Sequence, residues 1–320
     1  MRSDMNEKIM VYAIVGPTAS GKSALALELA QRHGGEIVSC DSMQLYRRMD
    51  IGTAKPTAEE RRLVPHHMID VVEPHTSFSC ADYVEMADRA IREIHGRGKL
   101  PIICGGTGLY LDSLLRGENF QPDLTDDALR AELLEFARER GNEALHAELA
   151  RIDPESAEAI HPNNVKRVAR AIEIYRLSGM TKTELDKNSR LGEQRFDIRC
   201  AGLFYSDREA LYRRIEKRVD MMMDEGLEAE TRALLAEGVF KENATAAQAI
   251  GYKELIGFIE GRETLAEAVE ALKAATRRYA KRQITWFSGK QYVNRIDVCD
   301  AQNQKTFEEI VNIAEKLFFC

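Results

Sequence analysis

Val11-Tyr12-Ala13-Ile14-Val15-Gly16-Pro17-Thr18-Ala19-Ser20-Gly21-Lys22-Ser23 is the stretch that decides the fold. It reads as a buried strand, a glycine loop and the opening of a helix that continues through Ala24-Leu25-Ala26-Leu27-Glu28-Leu29-Ala30. The spacing of Gly16, Gly21, Lys22 and Ser23 satisfies G-x-x-x-x-G-K-[ST], the phosphate-binding loop. Backbone N–H groups and the positive end of the following helix make an anion cradle. Gly16 and Gly21 permit backbone angles and close approach that a Cβ would block. Lys22 supplies a mobile positive charge, and the Ser23 hydroxyl is placed to hold Mg²⁺. The whole loop, Gly16, Pro17, Thr18, Ala19, Ser20, Gly21, Lys22 and Ser23, is therefore expected to bind a di- or triphosphate.

Outward from this loop the chain alternates strand and helix. A helix Lys22–His33 closes at Gly34-Gly35, a strand Glu36–Cys40 follows, a helix runs from Ser79 to about Arg97, and Leu100–Cys104 is a third strand. This βαβαβ order predicts a parallel sheet with crossover helices. In such sheets the residues just past the carboxyl ends of the strands line the ligand crevice. Asp41 is aimed there, where it can meet Mg²⁺ through water, act as a base, or cap the next turn. Gly105-Gly106-Thr107-Gly108 sits at the end of the third strand and suggests close approach of backbone to a ligand. Thr57-Ala58-Glu59-Glu60 is a helix start. The adjacent His66 and His67 lack a carboxylate at ligand spacing, so no metal is expected there.

From Asp126 to about Lys187 the pattern becomes helical throughout, and a helical insertion in the α/β domain is expected. The boundaries expected are 1–119 and 197–320 for the α/β core and 120–196 for the insertion. In the helix Asn163–Ser178, Val165, Val168, Ala169, Ile172 and Tyr175 share one face, with Lys166, Arg167 and Arg170 on the opposite arc. That arc is either a solvated basic face or a phosphate-backbone contact. Phe196–Tyr205 returns to strand character. Ser206-Asp207-Arg208-Glu209 reads as a capping box for a helix that carries Leu211, Ile215, Val219 and Met222 inward, with Arg213, Arg214, Lys217 and Arg218 along it. Further helices are expected over Leu227–Glu237, Leu265–Lys281 and Phe307–Phe319, and a last strand over Tyr292–Val298. Arg277 to Phe287 is the most basic stretch, with aromatics interleaved. It suits RNA backbone contacts with base or sugar packing, and equally a surface helix end with Trp286 in the core.

Composition narrows the class. The chain has 320 residues, 44% of them hydrophobic and 30% charged, with net charge −7. That charge does not advertise a nucleic-acid binder, but local basic stripes, not net charge, set phosphate affinity. Six scattered cysteines without CxxC pairs argue for reduced thiols and against a zinc site or disulfide framework. No apolar run is long enough to span a bilayer, and the polar start at Met1–Lys8 does not read as a secretory signal. A cytoplasmic protein, expected to be a monomer, fits these features.

With these residues in view, the chain closely resembles the bacterial tRNA dimethylallyltransferases over nearly its whole length. The resemblance rests on Gly16–Ser23, Asp41-Ser42-Met43-Gln44, Asp50-Ile-Gly-Thr-Ala-Lys-Pro56, Gly105-Gly-Thr-Gly-Leu-Tyr110, His161-Pro-Asn-Asn164, Gly251-Tyr252 and Lys281-Arg-Gln-Ile-Thr-Trp286. It implies a P-loop kinase-like parallel sheet that holds a diphosphate leaving group. It implies transfer of a dimethylallyl group from dimethylallyl diphosphate to N6 of the adenosine 3′ of the anticodon, in tRNAs reading codons that begin with U. By the resemblance Asp41 is the general base, and Thr107, Lys22 and Arg218 complete the catalytic set, with Mg²⁺ at Ser23. The tRNA-contacting positions implied are Asp41, Ser42, Met43, Gln44, Thr107, Arg130, Lys166, Arg167, Val168, Ala169, Arg170, Arg278, Lys281 and Arg282. Competing readings are an adenylate isopentenyltransferase acting on a free nucleotide, a P-loop small-molecule kinase, and a nucleotide-binding regulator without turnover.

Overall fold

The computed structural model describes residues 8–117, 125–189, 195–299 and 304–319. The expected boundary at 119–120, the polar start before Lys8 and Cys320 lie outside the described residues. The chain forms two compact units, 1–115 with 195–320, and 116–194. Arg195 and Phe196, expected in the insertion, belong to the first unit, because Phe196 already pairs with Ile9 in the sheet.

The first unit is built on six parallel strands: β1 (Ile9–Val15), β2 (Gly35–Cys40), β3 (His66–His67), β4 (Leu100–Gly105), β5 (Phe196–Tyr205) and β6 (Val293–Cys299). Their order across the sheet is β3-β2-β4-β1-β5-β6. Both faces are covered, so β1 is nearly all apolar: Val11, Ala13 and Val15 enter one core cluster and Ile14 the other. Cys40 and Cys104 are small core residues, one on each face. The register sets the site. Val15 and Cys40 both lie beside Gly105 of β4. Gly16, Gly106 and Asp41 therefore leave three adjacent strands in one row, with Asp41 two strand spacings, about 10 Å, from the start of the phosphate loop.

β3 went unassigned in the sequence, since two residues carry no periodicity. His67 Nε2 lies 2.7 Å from the Glu36 carboxylate, and His66 Nδ1 lies 2.8 Å from the Val64 carbonyl oxygen. The capping box at Ser206–Glu209 is corrected. Asp207 caps the helix Arg208–Asp224, accepting from the Glu209 and Ala210 amides, while the Ser206 hydroxyl donates to Asp297. The helix expected to end at Lys281 runs from Leu265 to Ser288, opened by a Thr264–Glu267 capping box. Helices Gly108–Arg116, Val239–Glu242 and Lys253–Ile259 also went unassigned. Among the described residues no helix is long and apolar enough to cross a membrane.

The second unit holds the helices Asp127–Arg140, Asn142–Ile152, Pro154–Ala159, Val165–Ser178 and Lys182–Ser189 around its own apolar cluster. Glu173, fully buried, accepts from Arg130, from Arg170 and from the Asp126 amide.

Candidate active site

The phosphate loop is fixed from several directions. At Gly16 φ is +147°, and a Cβ there would lie 2.6 Å from the Leu203 carbonyl oxygen of β5, so only glycine fits. Ala19 (φ 62°) and Gly21 (φ 95°) are left-handed, the alternation that builds a nest of amides ahead of the helix Lys22–His33. Arg214 Nε donates to the Ala19 carbonyl (2.8 Å), and Arg218 Nη1 donates to Thr18 Oγ1 (3.3 Å). Lys22 Nζ folds back on the Pro17 carbonyl at 3.3 Å.

Gln283, buried in the helix Leu265–Ser288, joins two glycine loops. Its Oε1 accepts from the Thr18 amide (2.8 Å) and its Nε2 donates to the Gly106 carbonyl (3.1 Å). A Cβ on Gly106 would lie 2.0 Å from Gln283 Nε2, and one on Gly108 would lie 2.2 Å from the Trp286 ring. Gly106 and Gly108 are thus crowded by a helix of the protein itself, and Gly105 by the Cys40 backbone of β2.

Asp41 uses Oδ1 to accept from the Met43 and Gln44 amides, at 2.9 and 3.4 Å. The carboxylate caps its own turn and leaves Oδ2 without a hydrogen-bond partner among the described residues. Thr107 Oγ1 accepts from the Ser42 amide (3.1 Å), fastening that turn to the loop after β4. Gln44 gives both amide protons to the carbonyls of Thr53 and Ala54 and accepts from Ser39 Oγ, tying the two loops together. The loop that Gln44 holds is held from its other side by Glu230, whose carboxylate accepts from the amides of Asp50, Ile51 and Gly52 and from Tyr252 OH at 2.6 Å.

These pieces enclose a cavity of about 570 Å³, lined by Thr18, Lys22, Ser23, Asp41, Met43, Arg218, Tyr279, Arg282 and Gln283, with an apolar wall that includes Val219, Met222 and Leu272. Burial pushes the Lys22 ammonium down from its ordinary value; Arg218 pushes the same way, while Cys104 and Asp41 oppose. Burial also lowers Arg218 against the pull of Asp41 and Glu225. Two cations desolvated side by side favour an anion between them. Asp41 lines the same cavity.

The remaining expected residues separate into two groups. Arg278, Lys281 and Arg282 are exposed, with no acidic partner among the described residues, and Lys166 and Arg167 are exposed on the second unit. Val168 and Ala169, also expected at the RNA, are fully buried in the second unit's core. Arg130 and Arg170 are committed to Glu173. Tyr175, expected inward, is 39% exposed, and Trp286 is 37% exposed rather than in the core. Gln283 and Glu230 went unpredicted. Only the glycines at 52, 106 and 108, too crowded for any side chain, carried a signal of their partners.

Fold and site together are those of a P-loop-like α/β protein with a cation-lined cavity at the carboxyl ends of its strands. The IPP transferase family profile matches residues 44–290, and that of the isopentenyl transferases matches residues 9–70. The chain belongs to the IPP transferase family, a family of prenyl-transferring enzymes. It is 47% identical over 314 residues to the tRNA dimethylallyltransferase of Halalkalibacterium halodurans, covering 98% of each chain. It is 49% identical over 312 residues to that of Bacillus anthracis, covering 97% of this chain and 96% of the other. Among solved structures it resembles the full-length tRNA isopentenylpyrophosphate transferase of Bacillus halodurans, with TM-score 0.69, 46% identity and 97% of each chain covered. It also resembles a eukaryotic dimethylallyltransferase captured acting on tRNA, with TM-score 0.76 and 30% identity, covering 96% of this chain and 78% of the other.

Proposed function

We propose that the protein transfers a dimethylallyl group from dimethylallyl diphosphate to N6 of the adenosine 3′ of the anticodon, in tRNAs that read codons beginning with U. The observation that carries the reading is the convergence of the phosphate loop, Lys22, Arg218 and Asp41 on one cavity, with one Asp41 carboxylate oxygen lacking a hydrogen-bond partner among the described residues. The adenine leaves its stack to enter the cavity, as base-modifying enzymes require. An adenine amine is hardly nucleophilic, because its lone pair is delocalised into the ring. A hydrogen bond from N6–H to Asp41 localises that pair. The N6–C1 bond then forms as the C1–O bond to diphosphate breaks, and the proton passes to Asp41. Lys22, Arg218 and the loop amides stabilise the departing diphosphate.

The donor set around Ser23 fits Mg²⁺. The Ser23 hydroxyl lines a cavity whose only carboxylates among the described residues are Asp41 and Glu60, the sparse protein contribution this ion takes when phosphate oxygens and water complete its shell. Ser23 would hold it, and when bound it supplies further charge neutralisation at the diphosphate. Arg278, Lys281, Arg282, Lys166 and Arg167 are proposed to contact the RNA backbone. The reaction is proposed to run in the cytoplasm on a monomer.

The test is incubation with labelled dimethylallyl diphosphate and unmodified tRNA, with AMP and ATP as controls. Label in tRNA alone is expected. Label in AMP would favour a free-nucleotide transferase, and phosphate release from ATP a kinase.

A further inference from the structure

On the helix Leu265–Ser288, Arg278, Lys281, Arg282, Thr285 and Trp286 follow at i, i+3, i+4, i+7 and i+8, so they form one stripe, and all five are exposed. The middle of the stripe reaches the active-site cavity, which Arg282 helps to line. It ends at Trp286, which keeps 37% of its surface open. The indole is nevertheless held. It packs so closely on Gly108 that no Cβ would fit there, and the Lys290 ammonium lies 5.0 Å from its ring centroid. Lys290 is in turn anchored by the buried carboxylate of Asp112. An aromatic ring fixed in this way loses little side-chain freedom on docking a ligand. Three cations without acidic partners among the described residues, beside an aromatic platform, are the elements with which proteins hold single-stranded nucleic acid: charges for the backbone, a ring for a base.

We infer that Trp286 is a stacking platform for one unpaired base of the anticodon loop, adjacent to the adenosine that enters the cavity, with Arg278, Lys281 and Arg282 tracking the backbone that connects the two. The platform is sequence-tolerant, since every base presents a π face, and it adds affinity for a loop over a duplex. The inference rests on tRNA being the acceptor.

Trp286 is the only tryptophan of the chain, so indole fluorescence reports this residue alone. Titration with an unmodified anticodon stem-loop is expected to quench it to saturation. Polyphosphate, which offers charge without bases, is expected not to quench, and abasic substitution at one loop nucleotide is expected to abolish the effect. Trp286→Ala is expected to raise the KM for tRNA roughly 10- to 100-fold with kcat nearly unchanged, and Trp286→Phe to restore most of the loss. Prenylation of the stem-loop without quenching, or quenching that survives every single abasic substitution, overturns the inference. Failure of the wild-type protein to prenylate any tRNA overturns the underlying reading, and this inference with it.

Discussion

Glu230→Ala is expected to loosen the active-site wall from outside. The carboxylate accepts from three consecutive amides, Asp50, Ile51 and Gly52, at 3.0–3.2 Å, and from Tyr252 OH. Burial, then the neighbouring carboxylate, raises the Tyr252 hydroxyl above its ordinary value, so it stays protonated and donates. Hydrogen bonds to a charged acceptor contribute about 1.5–3 kcal/mol each, and less where water can replace the lost partner. Glu230 is only half-buried. Four such bonds at about 1 kcal/mol each give a loss of about 4 kcal/mol, or roughly 10 °C in Tm for a unit of this size. The released segment carries Gly52, Thr53 and Ala54 of the cavity wall, and Gln44 ties it to the turn that aims Asp41. A kcat loss larger than any change in the KM of the donor is therefore expected below the melting range. Glu230→Gln, which keeps one good acceptor, should fall between wild type and alanine. Thermal unfolding and steady-state prenylation read both effects. A Tm within 2 °C of wild type with unchanged kcat would show that Lys55, which bridges Tyr46, Asp50 and Asp70, holds the loop unaided, and would refute the reasoning.

Other perturbations separate the roles further. Asp41→Ala should abolish most turnover while tRNA affinity, measured by filter binding, stays within a few-fold; an unchanged kcat would remove the base assignment. Lys22 has a lowered pKa before an anion binds, so donor binding measured calorimetrically should weaken as pH rises, with a midpoint below the ordinary lysine value, and Lys22→Met should erase that limb. Burial alone pushes Glu173 up, yet hydrogen bonds from Arg170, the Asp126 amide and Arg130 carry it below the ordinary carboxylate range. A depressed carboxylate stabilises above its unfolded pKa and loses that contribution as pH falls through the folded one. Glu173→Gln should therefore destabilise the helical unit by about 2–3 kcal/mol at pH 7, with the difference shrinking below about pH 4, as followed by hydrogen exchange in residues 125–189.

Much of this molecule was legible as text because its decisive parts are local. The strand, loop and helix of the phosphate site are contiguous, and the helices Lys22–His33 and Phe307–Phe319 fall where their caps and apolar spacing put them. Asp41 was legible because its place is set by a strand end. What escaped was set by partners far away in sequence. Glu230 lies 178 residues or more from the amides it holds, and Gln283 lies 265 from Thr18. No local periodicity distinguishes either from a surface residue. The ion pair of Arg130 with Glu173 was not legible, because its partner is 43 residues away. Val168 and Ala169, which the resemblance implied as contact positions, turn their side chains into the core.

The helix Leu265–Ser288 has a consequence for engineering. Gln283, on its inward side, grips the Thr18 amide, and Trp286 and Arg282 lie on its outward side. The two faces share one rigid rod less than a turn apart. Inserting a single residue between Gln283 and Trp286 would swing Trp286 by about 100° while Arg282 and the inner clasp stayed in place. Any redesign that regrips a different nucleic acid here therefore has to keep the helical phase of this segment, even where it changes every exposed side chain.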